Sequence, residues 1–338
     1  MFDRILSADN QLFELARLGS LEIPRFKDRI WQKIWESIYP FVAFFFAACV
    51  PILASFCSAP VIVVNLASEN FSATAFKNPM ASNSPLITSM FLLFSFSPFF
   101  IFVWGWLGIL EKRSFWTTGL ERTNIRHKYL RGALIGFLMM VIPVVFLWMF
   151  GLMDFESDPT VWAGLSAIPG VLIMLVGWLI QGAAEETLTR GFLLPVFGTR
   201  FGPVWGIIVS SVLFSSLHLM NENINWIAMI NLFLFGVFAC VYAMSEGGLW
   251  GVFAIHSFWN WAQGNVLGLE VSGSTIGGTA LINLKEVGPD LLTGGAFGPE
   301  GGLAITIVLL AGCVVLFHRL APRSKKEKTQ TGNYSGVP

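Results

Sequence analysis

The sequence predicts an all-α fold, a polytopic membrane helix bundle of about eight transmembrane helices. Three observations carry this. Of 338 residues, 54% are hydrophobic and only 12% are charged, where a soluble domain carries about 25% charged residues because its surface faces water. Long runs of the chain lack Asp, Glu, Lys and Arg. Basic residues gather in alternate connections between those runs.

A spanning helix needs about 20 apolar residues at about 1.5 Å each. Runs of that kind lie at 38–65, 86–110, 132–153, 166–190, 203–220, 224–245, 248–269 and 301–319, the fourth being apolar only as far as Ala184. The N-terminal segment holds Arg4, Arg17, Arg25, Lys27, Arg29 and Lys33, and the second connection holds Lys112, Arg113, Arg122, Arg126, Lys128 and Arg131. Arg319, Arg323, Lys325, Lys326 and Lys328 follow the last run. The connections that alternate with these carry Lys77 in 66–85, Lys285 in 270–300, and no Lys or Arg in 154–165 or 221–226. This alternation follows the positive-inside rule, places both termini in the cytoplasm, and requires an even number of spans. The expected location is therefore an integral, multi-pass membrane protein, in the plasma membrane of a prokaryote.

Three regions follow. Residues 1–36 form a cytoplasmic or interfacial segment, in which Phe2, Ile5, Leu12, Phe13 and Leu15 stand among charges as in an amphipathic interfacial helix. Residues 37–320 form the bundle, with its functional core at about 160–265. Residues 321–338 are polar, basic at first, and expected to be disordered. The Gly-rich stretch 270–300 reads as a long external loop. The opening residues do not resemble a secretory leader, and neither end carries a lipidation motif. Cys49, Cys57, Cys240 and Cys313 lie in apolar runs without CxxC spacing and read as buried apolar residues. The net charge of zero supplies no field for nucleic acid. The expected partners are the lipid bilayer and a membrane-associated peptide or protein substrate, with no nucleic acid.

An ionisable side chain at the bilayer centre costs about 2.5–3.5 kcal/mol on insertion scales, so it is rarely there without a use. In this chain such groups are Glu185, Glu186, Arg190, His218 and His256, all within 72 residues. Glu186 and Arg190 stand at i,i+4, acid first, the favourable orientation for a helical ion pair. Glu185 is turned about 100° from Glu186 and lacks that partner; Gln181, one turn earlier, is placed to orient it. The turn between the fourth and fifth runs brings Glu185 and His218 to one level, with Phe214 packed beside the imidazole. His256 and Asn260 also stand at i,i+4 and share a face. Singly these patterns fit ordinary interhelical hydrogen bonding and ion pairing. Two carboxylates, two imidazoles and a carboxamide on three helices are harder to explain as packing.

The same residues resemble a known family. Glu185-Glu186-Thr187-Leu188-Thr189-Arg190 looks like the EExxxR motif of the CAAX-type prenyl endopeptidases and bacteriocin-processing proteins, the CPBP or Abi superfamily, and Gly191-Phe192-Leu193 continues it. Phe214 to His218 resembles the FxxxH motif, and His256 to Asn260 the HxxxN motif, in the expected order. The resemblance covers about 160–265. It implies an intramembrane endopeptidase of glutamic type, without a metal cofactor. Glu185 and His218 would activate water, His256 and Asn260 would stabilise the oxyanion, and Glu186, Arg190 and Phe214 would support them. Two alternatives use the same residues: a zinc protease with Glu185, His218 and His256 as ligands, and a non-enzymatic transporter or scaffold.

Overall fold

The computed structural model describes residues 9–17, 27–68, 79–157 and 161–320. It is a helix bundle with short β pairings at one end. The chain runs through α1 (Gln11–Arg17), α2 (Arg29–Ser55), a 3-10 turn (Phe56–Ser58), α3 (Ala59–Ser68), α4 (Pro85–Trp106) and α5 (Ile125–Met149). It continues through α6 (Ile168–Glu186), α7 (Leu194–Phe201), α8 (Pro203–Ser216), α9 (Trp226–Glu246), α10 (Trp250–Trp261), α11 (Asp290–Thr293) and α12 (Leu303–Leu320). Wider π turns extend α4 over Leu107–Glu111, α6 over Thr187–Leu193 and α10 over Ala262–Val266.

Among the described residues, five helical stretches are long and apolar enough to cross a membrane: Arg29–Ser68, Pro85–Glu111, Ile125–Met149, Leu165–Phe201 and Trp226–Glu246. Pro203–Ser216 and Leu303–Phe317 are apolar but shorter. Each of the eight runs read from the sequence coincides with a helix, and with the π extensions counted α8, at 14 residues, is the shortest of them.

At the centre, α6 and α10 lie side by side. α5 packs on the outer side of α10, α4 on α6, and α9 on both α8 and α12. Glycine makes the closest of these contacts. A β-carbon on Gly132 or Gly136 of α5 would stand 2.1 Å from the carbonyl oxygen of Gly251 or Ile255 of α10, so only glycine permits this approach. Close backbone approach of this kind is how helices associate where lipid removes the hydrophobic drive.

The two ends of the bundle are built differently. At the end with the basic connections, Leu249 N–H donates to Gly119 O at 3.0 Å and Trp250 Nε1 to Glu121 O at 2.7 Å. Arg131 pairs with Glu246 at 2.5 Å, Lys128 with Glu121, and Glu111 accepts from both Tyr39 and Arg113. Here α1 differs from the interfacial helix expected. Leu12 and Phe13 are fully buried, and the Asn10 amide donates to Met244 O at 3.0 Å, so α1 docks on protein instead of lying in lipid. Phe2, Ile5 and the tail 321–338 lie outside the described residues.

At the opposite end the Gly-rich stretch is ordered. β1 (Met153–Phe155) pairs antiparallel with β4 (Leu284–Glu286), and β2 (Trp162–Ala163) pairs in parallel with β3 (Thr279–Ala280). Gly277 N–H donates to Met80 O at 3.0 Å and the Asn221 amide to Ser272 O at 2.7 Å. The connections poor in Lys and Arg thus form one layer across this end. Burial raises the Glu270 carboxyl above its ordinary range within it.

Candidate active site

Helix α6 ends on the two glutamates, and their side chains diverge as one-residue spacing on a helix requires. Glu186 is fully buried and accepts from Arg190 Nη1 at 2.8 Å. Arg190 lies in the π turn, is itself fully buried, and holds its guanidinium 4.5 Å from the centre of the Phe214 ring. Glu185 points into a cavity of about 470 Å³ whose wall also includes Gln181, Phe214, His218, His256 and Asn260. A π turn directly after the glutamates fits the tendency of such turns to occur at functional sites.

Glu186 has a second partner that helical spacing did not reveal. His256 Nδ1 lies 2.9 Å from the same Glu186 oxygen that Arg190 uses. The other ring nitrogen, Nε2, faces Glu185 Oε2 at 3.7 Å. The imidazole therefore stands between the two carboxylates, with Nδ1–H donating to Glu186 and Nε2 turned toward the cavity. Phe235 and Phe214 pack against its ring, with centroids 5.1 and 5.8 Å away.

His218, just past the end of α8, is held through its own turn. Its Nδ1–H donates to the Phe214 carbonyl at 2.8 Å, which leaves Nε2 as an acceptor. The expected packing of Phe214 on this imidazole is present, with ring centroids 5.0 Å apart.

Gln181 does not orient Glu185 as expected. Its Oε1 accepts from Asn260 Nδ2 at 3.0 Å, fixing the carboxamide and leaving a second N–H on the same nitrogen. The cause is the meeting of α6 with α10 at Gly182, where a β-carbon would lie 2.6 Å from Ser257 Oγ and 2.8 Å from Ser257 N. So close a contact turns Gln181 to the neighbouring helix, while Glu185 Oε2 is buried without a hydrogen-bond partner among the described residues.

Sequence reasoning missed Glu300, a buried carboxylate in the cavity wall. It accepts from Trp259 Nε1 at 3.0 Å, Ser272 N at 2.9 Å and Ser272 Oγ at 2.7 Å, tying the layer of connections to the residue beside Asn260. It also missed Asn231 of α9, whose amide donates to Glu300 O at 2.8 Å and Gly302 O at 2.9 Å. A lone Asn inside an apolar run was a usable signal for the second, whereas Glu300 sits in a Gly-rich stretch that reads as loop. Among the described residues, the cavity wall carries Glu185 and Glu300 but no Lys or Arg. Among the described residues, no three His, Cys, Asp or Glu side chains are grouped closely enough to hold a metal ion.

Residues 167–262 match the family model described as "Type II CAAX prenyl endopeptidase Rce1-like". The match supports the CAAX-endopeptidase resemblance carried by the three motifs. This Rce1-like segment includes α6, α8, α9 and α10, and with them Glu185, Glu186, Arg190, His218, His256 and Asn260. One similar curated protein is an "Uncharacterized 24.3 kDa protein" from Escherichia coli, 34% identical over 86 residues. That alignment covers 25% of this chain and 39% of the relative, so the chain spans about two fifths of the relative's length. No solved structure matches.

Proposed function

We propose that this protein is an intramembrane endopeptidase of glutamic type, which hydrolyses a peptide bond inside the cavity between α6, α8 and α10. The observation that carries the reading is the setting of His256 between Glu186 and Glu185, in one cavity with His218 and Asn260. Hydrolysis needs a base for water and donors for the oxyanion. Glu185, with a carboxylate oxygen free of hydrogen bonds, is the base. His218 offers Nε2 to the same water. Asn260, held by Gln181, directs its second N–H at the oxyanion. His256 serves there as well when Nε2 carries a proton, and Glu186 on the far side of the ring stabilises the resulting charge. The neutral and acidic wall favours apolar, neutral or basic side chains in the peptide.

The experiment is hydrolysis by the purified, reconstituted chain and its Glu185→Gln variant, with and without chelator. Gln keeps the shape and removes the base, so turnover falls by ~10²–10⁴. Asn260→Ala lowers turnover with little change in KM, because an oxyanion donor acts mainly in the transition state. The zinc alternative would make Glu185, His218 and His256 ligands and predicts loss of activity with chelator and recovery with Zn²⁺. That result would replace the glutamic mechanism. Full activity in Glu185→Gln would remove both the base assignment and the zinc-ligand assignment of Glu185.

A further inference from the structure

The cavity belongs to one half of the bundle, and the charge pattern says which side of the membrane that half faces. Most helices contribute to its wall from the same end, whereas α6 reaches it with Trp178, Gln181 and Glu185 in its second half. Ser55 lies in the second half of Arg29–Ser68, Phe91 near the start of α4, Asn231 near the start of α9, and Ile305 near the start of α12. Each of these helix ends adjoins a connection poor in Lys and Arg. The connections that reach the wall, including Asn221 and Ser274, are of the same kind. No residue of the basic connection 111–131 or of the described part of the N-terminal segment lines the cavity. Lys and Arg in short loops mark the cytoplasmic side of a membrane protein.

We propose that the cavity opens toward the extracytoplasmic side and takes a peptide segment presented there, instead of a segment offered from the cytoplasm. That the occupant is a peptide rests on the peptidase reading above; the direction of opening does not. Two features of the wall support it. The ordered layer at this end lines the cavity itself through Val271, Ser272, Ser274 and Glu300, and Glu300 links Ser272 to Trp259, the neighbour of Asn260. The opposite end is closed by α1, whose Leu12 and Phe13 are fully buried against the connection end.

The test is thiol accessibility in the full chain with Cys49, Cys57, Cys240 and Cys313 replaced by Ala. Single cysteines are placed by Met220→Cys, at a loop position 93% exposed, by Ser274→Cys at the cavity wall, and by Arg126→Cys at the basic end. Ser55→Cys serves as a second wall position should Ser274→Cys fail to accumulate. Intact cells are treated with a membrane-impermeant methanethiosulfonate, and remaining thiols are then labelled with a biotin maleimide after solubilisation. The expected result is loss of most of the label at Met220→Cys and at the wall position, with Arg126→Cys protected until the cells are permeabilised. Blocking of Arg126→Cys in intact cells, or protection of Met220→Cys, overturns the direction. Blocking of Met220→Cys with both wall positions protected overturns the opening. No hydrolysis is read in this assay, so its failure is distinct from failure of the peptidase reading, which Glu185→Gln tests.

Discussion

The cavity has two unlike walls. On one, α6 meets α10 by backbone contact at Gly182, and the polar side chains are locked across the seam: Glu186 to His256 at 2.9 Å and Gln181 to Asn260 at 3.0 Å. On the other, α2 and α3 are interrupted by a 3-10 turn and contain Pro51. Ile52, Phe56, Val63 and Val64 there are more than half exposed. Polar groups on this second side bond locally: Ser55 Oγ donates to Ile52 O and Ser58 Oγ to Ser55 O, each at 2.7 Å, and Asn65 is buried with neither side-chain polar atom hydrogen-bonded among the described residues. The difference teaches where precision is stored. Glu186, His256, Gln181 and Asn260 are fixed across a backbone contact, Glu185 keeps one carboxylate oxygen unpaired among the described residues, and the apolar side is held mainly by packing.

The largest expected effect comes from breaking the polar seam at its buried charge. Arg190→Ala leaves Glu186 buried with its positive partner gone, a loss of about 3–5 kcal/mol, so the protein should accumulate poorly. Adding Glu186→Gln removes the orphaned charge and should recover much of the accumulation, measured by quantitative immunoblotting of membranes. A double variant as scarce as the single one would show that the pair does not hold the seam.

Gly182→Ala should be next. The added carbon must push α10 away at Ser257, displacing His256 and Asn260 together, and a misplacement of about 1 Å costs ~10² in rate. Ser257→Ala should not restore activity, because the backbone nitrogen of Ser257 also lies within 2.8 Å of the new carbon. Rescue by Ser257→Ala would mean that the hydroxyl alone set the spacing. The smallest effect is expected on the soft wall. Ile62→Ala removes apolar contacts beside the cavity on a partly exposed helix and should cost about 1 kcal/mol or less of stability, with turnover changed by less than a few-fold. A loss comparable with that of Gly182→Ala would abolish the distinction between the walls.

How much of this was legible beforehand follows from the range of each interaction. Residues four apart on one helix must share a face, so the Glu186–Arg190 pair and the packing of Phe214 beside His218 could be read directly, and the structure has both. The membrane character followed from composition, because charge is too scarce to cover a water-facing surface. The three motifs carried the family resemblance for the same reason: each is contained within one turn or so of helix. What no spacing could settle was the choice of partner across helices. Gln181 reads equally well toward Glu185 or toward a neighbour, and only the contact at Gly182 directs it to Asn260. Glu186 appears satisfied by Arg190 until α10 brings His256 to the same oxygen. Glu300 enters the cavity wall because the Gly-rich stretch folds back over the bundle, a long-range arrangement without a local signature. Sequence determined the medium, the helices and the contacts within each helix. Tertiary structure decided the rest, because helix rotation and crossing distance are set by backbone contacts between segments far apart in the chain.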